Sequence, residues 1–143
     1  MSAIHFFSED TDFTFQETEK GRTWIIYIAS QKSKEISELN FIFCSDPYLH
    51  KLNVDYLQHD TLTDIITFPY SEDETIAGDI FISVDRVKEN AQKFETSFLK
   101  ELKRVMAHGV LHLCGYKDKS DDEKKEMRLQ EDKAIQLWEE SSE

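Results

Sequence analysis

Residues 64–84 are DIITFPYSEDETIAGDIFISV, two apolar runs separated by a short acidic stretch. The runs 64–70 and 78–84 have the length of strands and are rich in Ile and Phe, which are typical strand residues. The stretch SEDET between them is a plausible hairpin connection. We therefore predict two strands that pair antiparallel.

The rest of the chain surrounds this pair with helices and two further strands. Apolar runs predict strands at 4–7 and 39–44, and helical spacing of apolar residues predicts helices at 16–34, 46–57, 86–93, 97–114 and 120–138. Asp46 is expected to cap the second helix, with Pro47 at its first position. The order β-α-β-α-β-β-α-α-α predicts an α+β fold with one mixed four-stranded sheet and about five helices.

Composition indicates one globular cytoplasmic domain spanning residues 1–143. The chain is 39% apolar and 12% aromatic, with ten Phe residues, which argues against disorder. It contains no apolar run of about twenty residues, and its amino terminus becomes acidic before a signal peptide could form. We expect no membrane segment. Cys44 and Cys114 are too few for a disulfide framework and are predicted to be reduced, buried thiols.

The charge is unevenly distributed along the chain. A net charge of −12 disfavours nonspecific nucleic-acid binding. Residues 86–119, however, contain eight Lys and Arg residues against four acidic ones. This basic segment is either a solvated helix face or a functional surface, and the histidine pair that it contains favours function.

The segment 107–118, AHGVLHLCGYKD, predicts a metal site at the end of the long helix 97–114. His108 and His112 are four residues apart and therefore share one helix face. Gly115 can adopt the left-handed conformation that ends a helix, so Asp118 can return to the same face. Two imidazoles and one carboxylate, with a fourth position open to water, form the ligand set of a catalytic zinc site.

Metalloproteases use the same spacing of ligands but a different residue for catalysis. In those enzymes a Glu directly after the first histidine is the general base. The corresponding residue here is Gly109, which cannot accept a proton. A metalloprotease-like hydrolase is therefore a disfavoured alternative.

Three motifs resemble those of the YbeY family. HGVLHLCGYKD (108–118) is similar to the family signature His-Gly-x-Leu-His-Leu-x-Gly-Tyr-Asp-His, in which three histidines bind zinc. LNVDYLQHDTLTDIITFPY (52–70) resembles the family segment Leu-Asn-x-x-Tyr-Arg-x-x-Asp-x-x-Thr-Asp-Val-Leu-Ser-Phe-Pro, and GDIFIS (78–83) resembles the strand Gly-Asp-Ile-x-Ile-Ser. The order and spacing agree from about residue 39 to the last helix.

The resemblance implies a zinc-dependent endoribonuclease with one Zn²⁺ per chain. Such an enzyme cuts single-stranded ribosomal RNA, notably at the 3′ end of the small-subunit RNA, and acts on ribosomal particles and in ribosome quality control. This chain departs from the family at two positions: Asp118 replaces the third zinc histidine, and Leu57 replaces an arginine thought to contact RNA.

Four further residues are candidates beside the metal ligands. Arg104 precedes His108 by one helical turn and His59 follows Leu57 by two residues, so either could compensate for the missing arginine as a catalytic residue. Asp64 and Asp79 match family positions and could orient a ligand or transfer a proton. Tyr56, Phe68, Phe81 and Met106 are expected to fill the core.

The sequence leaves two classes of function open. The first is metal-assisted hydrolysis of an RNA phosphodiester, by attack of water or of a 2′-hydroxyl. The second is a non-catalytic ribosome assembly factor in which zinc pins the long helix to the following turn. The missing arginine and the acidic surface favour the second.

Overall fold

Nine elements follow one another along the residues that the computed structural model describes, 3–57, 63–70 and 75–140. They are β1 (Ala3–Glu9), α1 (Thr18–Gln31), β2 (Glu35–Cys44), α2 (Asp46–Leu57), β3 (Ile65–Pro69), β4 (Thr75–Ser83), α3 (Val84–Lys93), α4 (Phe98–Leu113) and α5 (Asp121–Glu140). Their order confirms the α+β prediction, with four strands and five helices. None of these helices is both long and apolar enough to cross a membrane.

The sheet has the strand order β1-β2-β4-β3. β1 and β4 both run parallel to β2, and β3 pairs antiparallel with β4, as predicted for the two apolar runs. β2 begins at Glu35, four residues before the predicted start, because Glu35 and Ile36 already pair with β4. Residues 71–74, most of the expected hairpin connection, lie outside the described residues. β3 is thus an edge strand beside β4.

One face of the sheet forms the main core with α1, α4 and α5. Phe41 and Ile80 are fully buried on this face, and α4 adds the fully buried side chains of Leu102, Met106 and Val110. Full burial of one such side chain contributes roughly 1.5–3 kcal/mol. The prediction for Met106 is confirmed, and apolar packing on the sheet holds α4 in place.

The opposite face of the sheet packs against α2. Phe68 and Phe81 are half-buried there, with ring centroids 5.7 Å apart, and Tyr48 lies beside Phe81. Tyr56 was expected in the core, but it is 68% exposed. The prediction fails because Tyr56 lies in the last turn of α2, where its ring contacts that of Phe68 at an angle of 80° and otherwise faces solvent.

Ser45, not Asp46, caps α2. Asp46 is already the first helical residue, and the Oγ of Ser45 accepts a hydrogen bond of 3.2 Å from the Tyr48 N–H. The proline therefore occupies the second helical position rather than the first. The Asp46 carboxylate instead accepts hydrogen bonds from Ser83 Oγ at 2.6 Å and from the Arg86 guanidinium at 3.0 Å. It joins the start of α2 to the junction between β4 and α3.

Gly109 is the position at which α4 comes closest to the sheet. A Cβ atom on Gly109 would lie 3.0 Å from Ile65 Cδ1 and 3.1 Å from Ile80 Cδ1. The missing side chain therefore lets the helix backbone approach β3 and β4. A glutamate at this position would point into the sheet, which agrees with the argument against a metalloprotease.

Gly78→Ala should destabilise the protein, because the new Cβ would lie 2.6 Å from the Phe68 carbonyl oxygen and 3.1 Å from Pro69 Cα in β3. We expect a loss of about 1–3 kcal/mol in the free energy of unfolding, measured by urea denaturation. Ala77→Gly is the control, because it removes atoms from the same strand and should cost about 1 kcal/mol or less. Wild-type stability of Gly78→Ala would contradict the close approach of the two strands.

Candidate active site

A pocket of about 510 Å³ lies beside α4, between the edge strand β3 and the helices α3 and α5. Side chains from β3, from the end of α3, from one face of α4, from the turn after α4 and from α5 line it. The pocket contains five of the residues singled out from the sequence: Asp64, Arg104, His108, His112 and Asp118. It is therefore the candidate active site.

α4 presents a polar stripe to the pocket. The helix begins after Ser97, whose Oγ accepts a hydrogen bond of 3.1 Å from the Lys100 N–H. Arg104, His108 and His112 then recur at intervals of four residues on the pocket side, while the apolar residues of α4 face the sheet. The two imidazole rings are nearly parallel, with an angle of 5° between the planes and centroids 6.5 Å apart.

The turn after α4 brings Asp118 back to the histidines. Gly115 has a φ of +108°, in the region that favours glycine, and the Tyr116 N–H donates to the Leu111 carbonyl at 3.1 Å. This pattern of bonds closes the helix and reverses the chain. Asp118 Oδ2 lies 3.3 Å from His108 Nε2 as a result. The return of Asp118 to this helix face is what the spacing predicted.

Glu131 of α5 contacts His108 through the ring nitrogen that does not face Asp118. Its Oε2 lies 2.7 Å from His108 Nδ1, and its Oε1 accepts a hydrogen bond of 3.3 Å from Arg104. An ionised carboxylate can only accept, so the proton is on Nδ1. His108 Nε2 is therefore the nitrogen that faces Asp118 and the pocket. Arg104 also pairs with Asp132 at 2.8 Å, which fixes the guanidinium against α5.

Glu131 is a residue of the site that was not predicted from the sequence. The sequence does contain a sign that Glu131 is buried. Met127, Ala134 and Trp138 recur at helical spacing and form the buried face of α5, and Glu131 lies on the same face. A carboxylate at a core position needs a partner, since burial of an unpaired charge is costly. The partner, His108, is 23 residues away and could not be assigned from spacing.

The pKa of His108 is raised by its acidic neighbours. Burial alone would lower this pKa, but the hydrogen bond to Glu131 and the negative charges of Glu131, Asp118 and Asp64 outweigh that effect. Burial raises the pKa of Asp64, although the nearby His108 partly opposes the shift. Burial also raises the pKa of Glu101 at the other end of the pocket. The pocket thus contains carboxyl groups that hold protons more tightly than usual.

The pocket has the chemistry of a cation site. Among residues 3–57, 63–70 and 75–140, no three His, Cys, Asp or Glu side chains already converge as a ready-made metal cluster. His108 Nε2, His112 and Asp118 nevertheless line one pocket and are suitable donors for a divalent metal. Four carboxylates and two guanidinium groups line the pocket, so its formal charge is −2 with ionised acids and neutral histidines. A divalent cation would neutralise it.

The other candidates lie elsewhere or outside the described residues. Asp79 is on the opposite face of the sheet, where its Oδ1 accepts a hydrogen bond of 3.0 Å from Asn40. Leu57 is 42% exposed at the end of α2. His59 lies outside the described residues. Arg128 of α5 lines the pocket and was not identified from the sequence.

The cysteines take no part in the pocket wall. Cys44 is buried and Cys114 is half-buried, and neither forms a disulfide. Burial raises the pKa of the Cys44 thiol to about 12 and that of Cys114 to about 11, which disfavours the reactive thiolate. Both are inert structural thiols at neutral pH.

Comparisons with known proteins cover almost the whole chain. The family model of endoribonuclease YbeY matches residues 3–139. Endoribonuclease YbeY of Cytophaga hutchinsonii is 53% identical over 135 residues, which are 94% of this chain and 94% of that protein. Endoribonuclease YbeY of Flavobacterium johnsoniae is 50% identical over 132 residues, which are 92% of this chain and 95% of that protein. The solution structure of TM1509 from Thermotoga maritima is similar with a TM-score of 0.66 and 28% identity, covering 94% of this chain and 88% of that one.

Glu131→Gln should lower the pKa of His108 in protein treated with a chelator, because the substitution removes the charge that raises this pKa. An NMR titration of the His108 ring measures the change. In the wild type the pKa of His108 is higher in the folded than in the unfolded protein, where it is about 6.5. Protonation of His108 therefore adds to the free energy of unfolding below about pH 6.5, and this contribution is lost as the pH rises through the pKa of the folded state. Glu131→Gln should weaken that dependence.

Asp132→Asn is the matched control for Glu131→Gln. It removes a neighbouring carboxylate that also contacts Arg104 but does not contact His108. Its effect on the His108 pKa should be smaller. An equal effect in both variants would show that the general field of α5, rather than the Glu131 hydrogen bond, sets this pKa.

Proposed function

Because this chain belongs to the endoribonuclease YbeY family, we propose that it is a metal-dependent nuclease that cuts single-stranded ribosomal RNA in the cytoplasm. Its specific task would be maturation of the small-subunit RNA at the 3′ end and quality control of ribosomal particles, as the sequence motifs imply. The observation that supports this proposal most is that His108, His112 and Asp118 all line one pocket.

His108, His112 and Asp118 would hold one zinc ion per chain. The hydrogen bond from His108 Nδ1 to Glu131 orients Nε2 toward the pocket, in the arrangement by which carboxylates behind histidines orient metal ligands. Two imidazoles favour zinc, while the carboxylate is also compatible with manganese or iron. The chemistry that such an ion supplies is stabilisation of negative charge on a phosphoryl oxygen.

Three side chains of the pocket would bind the phosphate, order the site and transfer a proton. Arg128 is 58% exposed at the pocket and can approach a phosphate, whereas Arg104 is held by Glu131 and Asp132 and mainly orders the site. Asp64 is a carboxyl group with a raised pKa, so it can carry a proton and give it to a leaving oxygen. These roles are consistent with hydrolysis of a phosphodiester bond.

A non-catalytic ribosome assembly factor is the competing hypothesis. Its support is the net charge of −12 and the presence of Leu57 where the family signature has an arginine. Both hypotheses predict binding to ribosomal particles. They differ in whether the purified protein cuts RNA.

His112→Ala should abolish cleavage of single-stranded ribosomal RNA and the binding of one equivalent of metal, because two remaining ligands seldom hold zinc against solvent. Metal content by elemental analysis and cleavage on a denaturing gel measure the two effects. His5→Ala is the matched control, because His5 is exposed on the opposite face of the sheet. If the wild type and both variants bind ribosomal particles and none cuts RNA, the assembly hypothesis is correct.

Leu57→Arg should strengthen RNA binding, because it restores a cation at the end of α2. One added phosphate contact should change the slope of log Kd against log salt by about 0.7 for a single strand. Ile26→Arg is the control, since Ile26 is similarly exposed, at 40% against 42%, but lies on α1 outside the pocket wall. Equal slopes for the two variants would show that residue 57 does not face RNA.

A further inference from the structure

Phe94 is an exposed aromatic residue in the wall of the candidate active site. Its side chain is 53% exposed, yet it lines the same pocket as His108. Most exposed apolar side chains need no functional explanation. Phe94 differs from them because it lines the pocket that is the candidate active site.

The backbone holds Phe94 firmly at the end of α3. Phe94 is the cap residue of that helix, and its N–H donates to the Asn90 carbonyl at 2.9 Å. Glu95 has a φ of +55°, and the Thr96 N–H donates to the Ala91 carbonyl at 2.9 Å, which closes the helix end. The ring is therefore presented by a fixed turn rather than by a loose loop.

Asn90 lies one helical turn before Phe94 on the same side of α3, and it also lines the pocket. Its side-chain amide makes no hydrogen bond to any other residue of the described chain. An amide can both donate and accept, as the edge of a nucleobase requires. A flat ring and a free amide are thus adjacent at this end of the pocket.

This end of the pocket is remote from the proposed metal ligands. Residues 94–97 join α3 to α4, so Phe94 lies near the start of α4, whereas His112 lies near its end. The α4 residues in the pocket wall run from Glu101 to His112, and at 1.5 Å per residue this part of the helix axis is roughly 16 Å long. One stacked nucleotide advances only about 3.4 Å. The pocket wall is long enough for more than one nucleotide.

We propose that Phe94 and Asn90 form a nucleobase subsite, which rests on the proposed function and holds the base of a nucleotide flanking the scissile phosphate. The ring stacks on the base and the amide bonds to its edge, as in other recognition of single strands. The Glu101 carboxyl also lines this end of the pocket, and the flat ring and the amide match a base rather than a phosphate. Lys93 Nζ, 5.7 Å from the Phe94 ring centroid, adds a positive charge beside it.

The test compares Phe94→Ala and Phe94→Tyr with the wild-type holoenzyme on a single-stranded ribosomal RNA oligonucleotide. Phe94→Ala should raise Kd, measured by stopped-flow anisotropy before cleavage, by about fivefold to 150-fold, the range for loss of one stacked base. KM should rise in parallel and kcat should change less. Phe94→Tyr should bind like the wild type, and the salt slope should be unchanged because no charge is removed.

Phe7→Ala is the matched control, since Phe7 is 49% exposed and lies on the opposite face of the sheet. It should leave Kd unchanged. A second control places an abasic residue at each position of the oligonucleotide in turn. At the position whose base stacks on the ring, Phe94→Ala should cause no further loss of binding, which identifies the subsite by a double-mutant cycle.

Wild-type Kd and KM in Phe94→Ala would overturn the subsite and leave the nuclease proposal standing. A loss of binding that persists with every abasic oligonucleotide would also overturn it, because the ring would then act through the fold. If the wild type binds but does not cut, a loss that depends on Phe94 and on one base would support the subsite and refute the nuclease proposal. Absence of any binding by the wild type would refute both.

Discussion

The close packing of α4 on the sheet is the constraint on which the rest of the site depends. Gly109 has no side chain, so the helix backbone can approach Ile65 and Ile80. The apolar face of α4 then continues the main core, and the 3.6-residue period turns Arg104, His108 and His112 toward the groove beside β3. A side chain at Gly109 would change the distance between the histidines and β3, and with it the distance to Asp64, which directly precedes β3.

A second constraint is that the buried negative charges in the pocket need positively charged or hydrogen-bonding partners. Glu131 and Glu101 are buried carboxyl groups, and Asp64 is next to them. Arg104 and the Nδ1–H of His108 bind Glu131, so this buried carboxylate is paired. The remaining excess of acids is consistent with a site that uses a divalent cation, because an RNA phosphate would otherwise meet a repulsive surface. An acidic chain can therefore still bind RNA, provided that a divalent cation in the pocket supplies the positive charge.

The pocket also has two chemically different ends. The His112 and Asp118 end is polar and carries the candidate donors for a metal, while the Phe94 and Asn90 end offers an aromatic ring and an amide. A nuclease that cuts a single strand must hold the chain on at least one side of the scissile bond, since positioning of the reacting groups accounts for much of catalysis. The division of the pocket along α4 matches that requirement.

The sequence by itself determined the order of the elements, the pairing of the two apolar runs, and the placement of His108, His112 and Asp118 on one side of the long helix. These features depend on local periodicity, on the turn at Gly115 and on spacings of a few residues, all of which are visible in a linear chain. Only the tertiary structure decided that Glu131 orients His108, that Asp79 lies on the far side of the sheet, that Ser45 rather than Asp46 caps α2, and that Phe94 borders the pocket. Each of these depends on which face of one element meets another element. That choice follows from the packing of the whole core, because burial of apolar surface is non-directional and does not specify individual partners along the sequence.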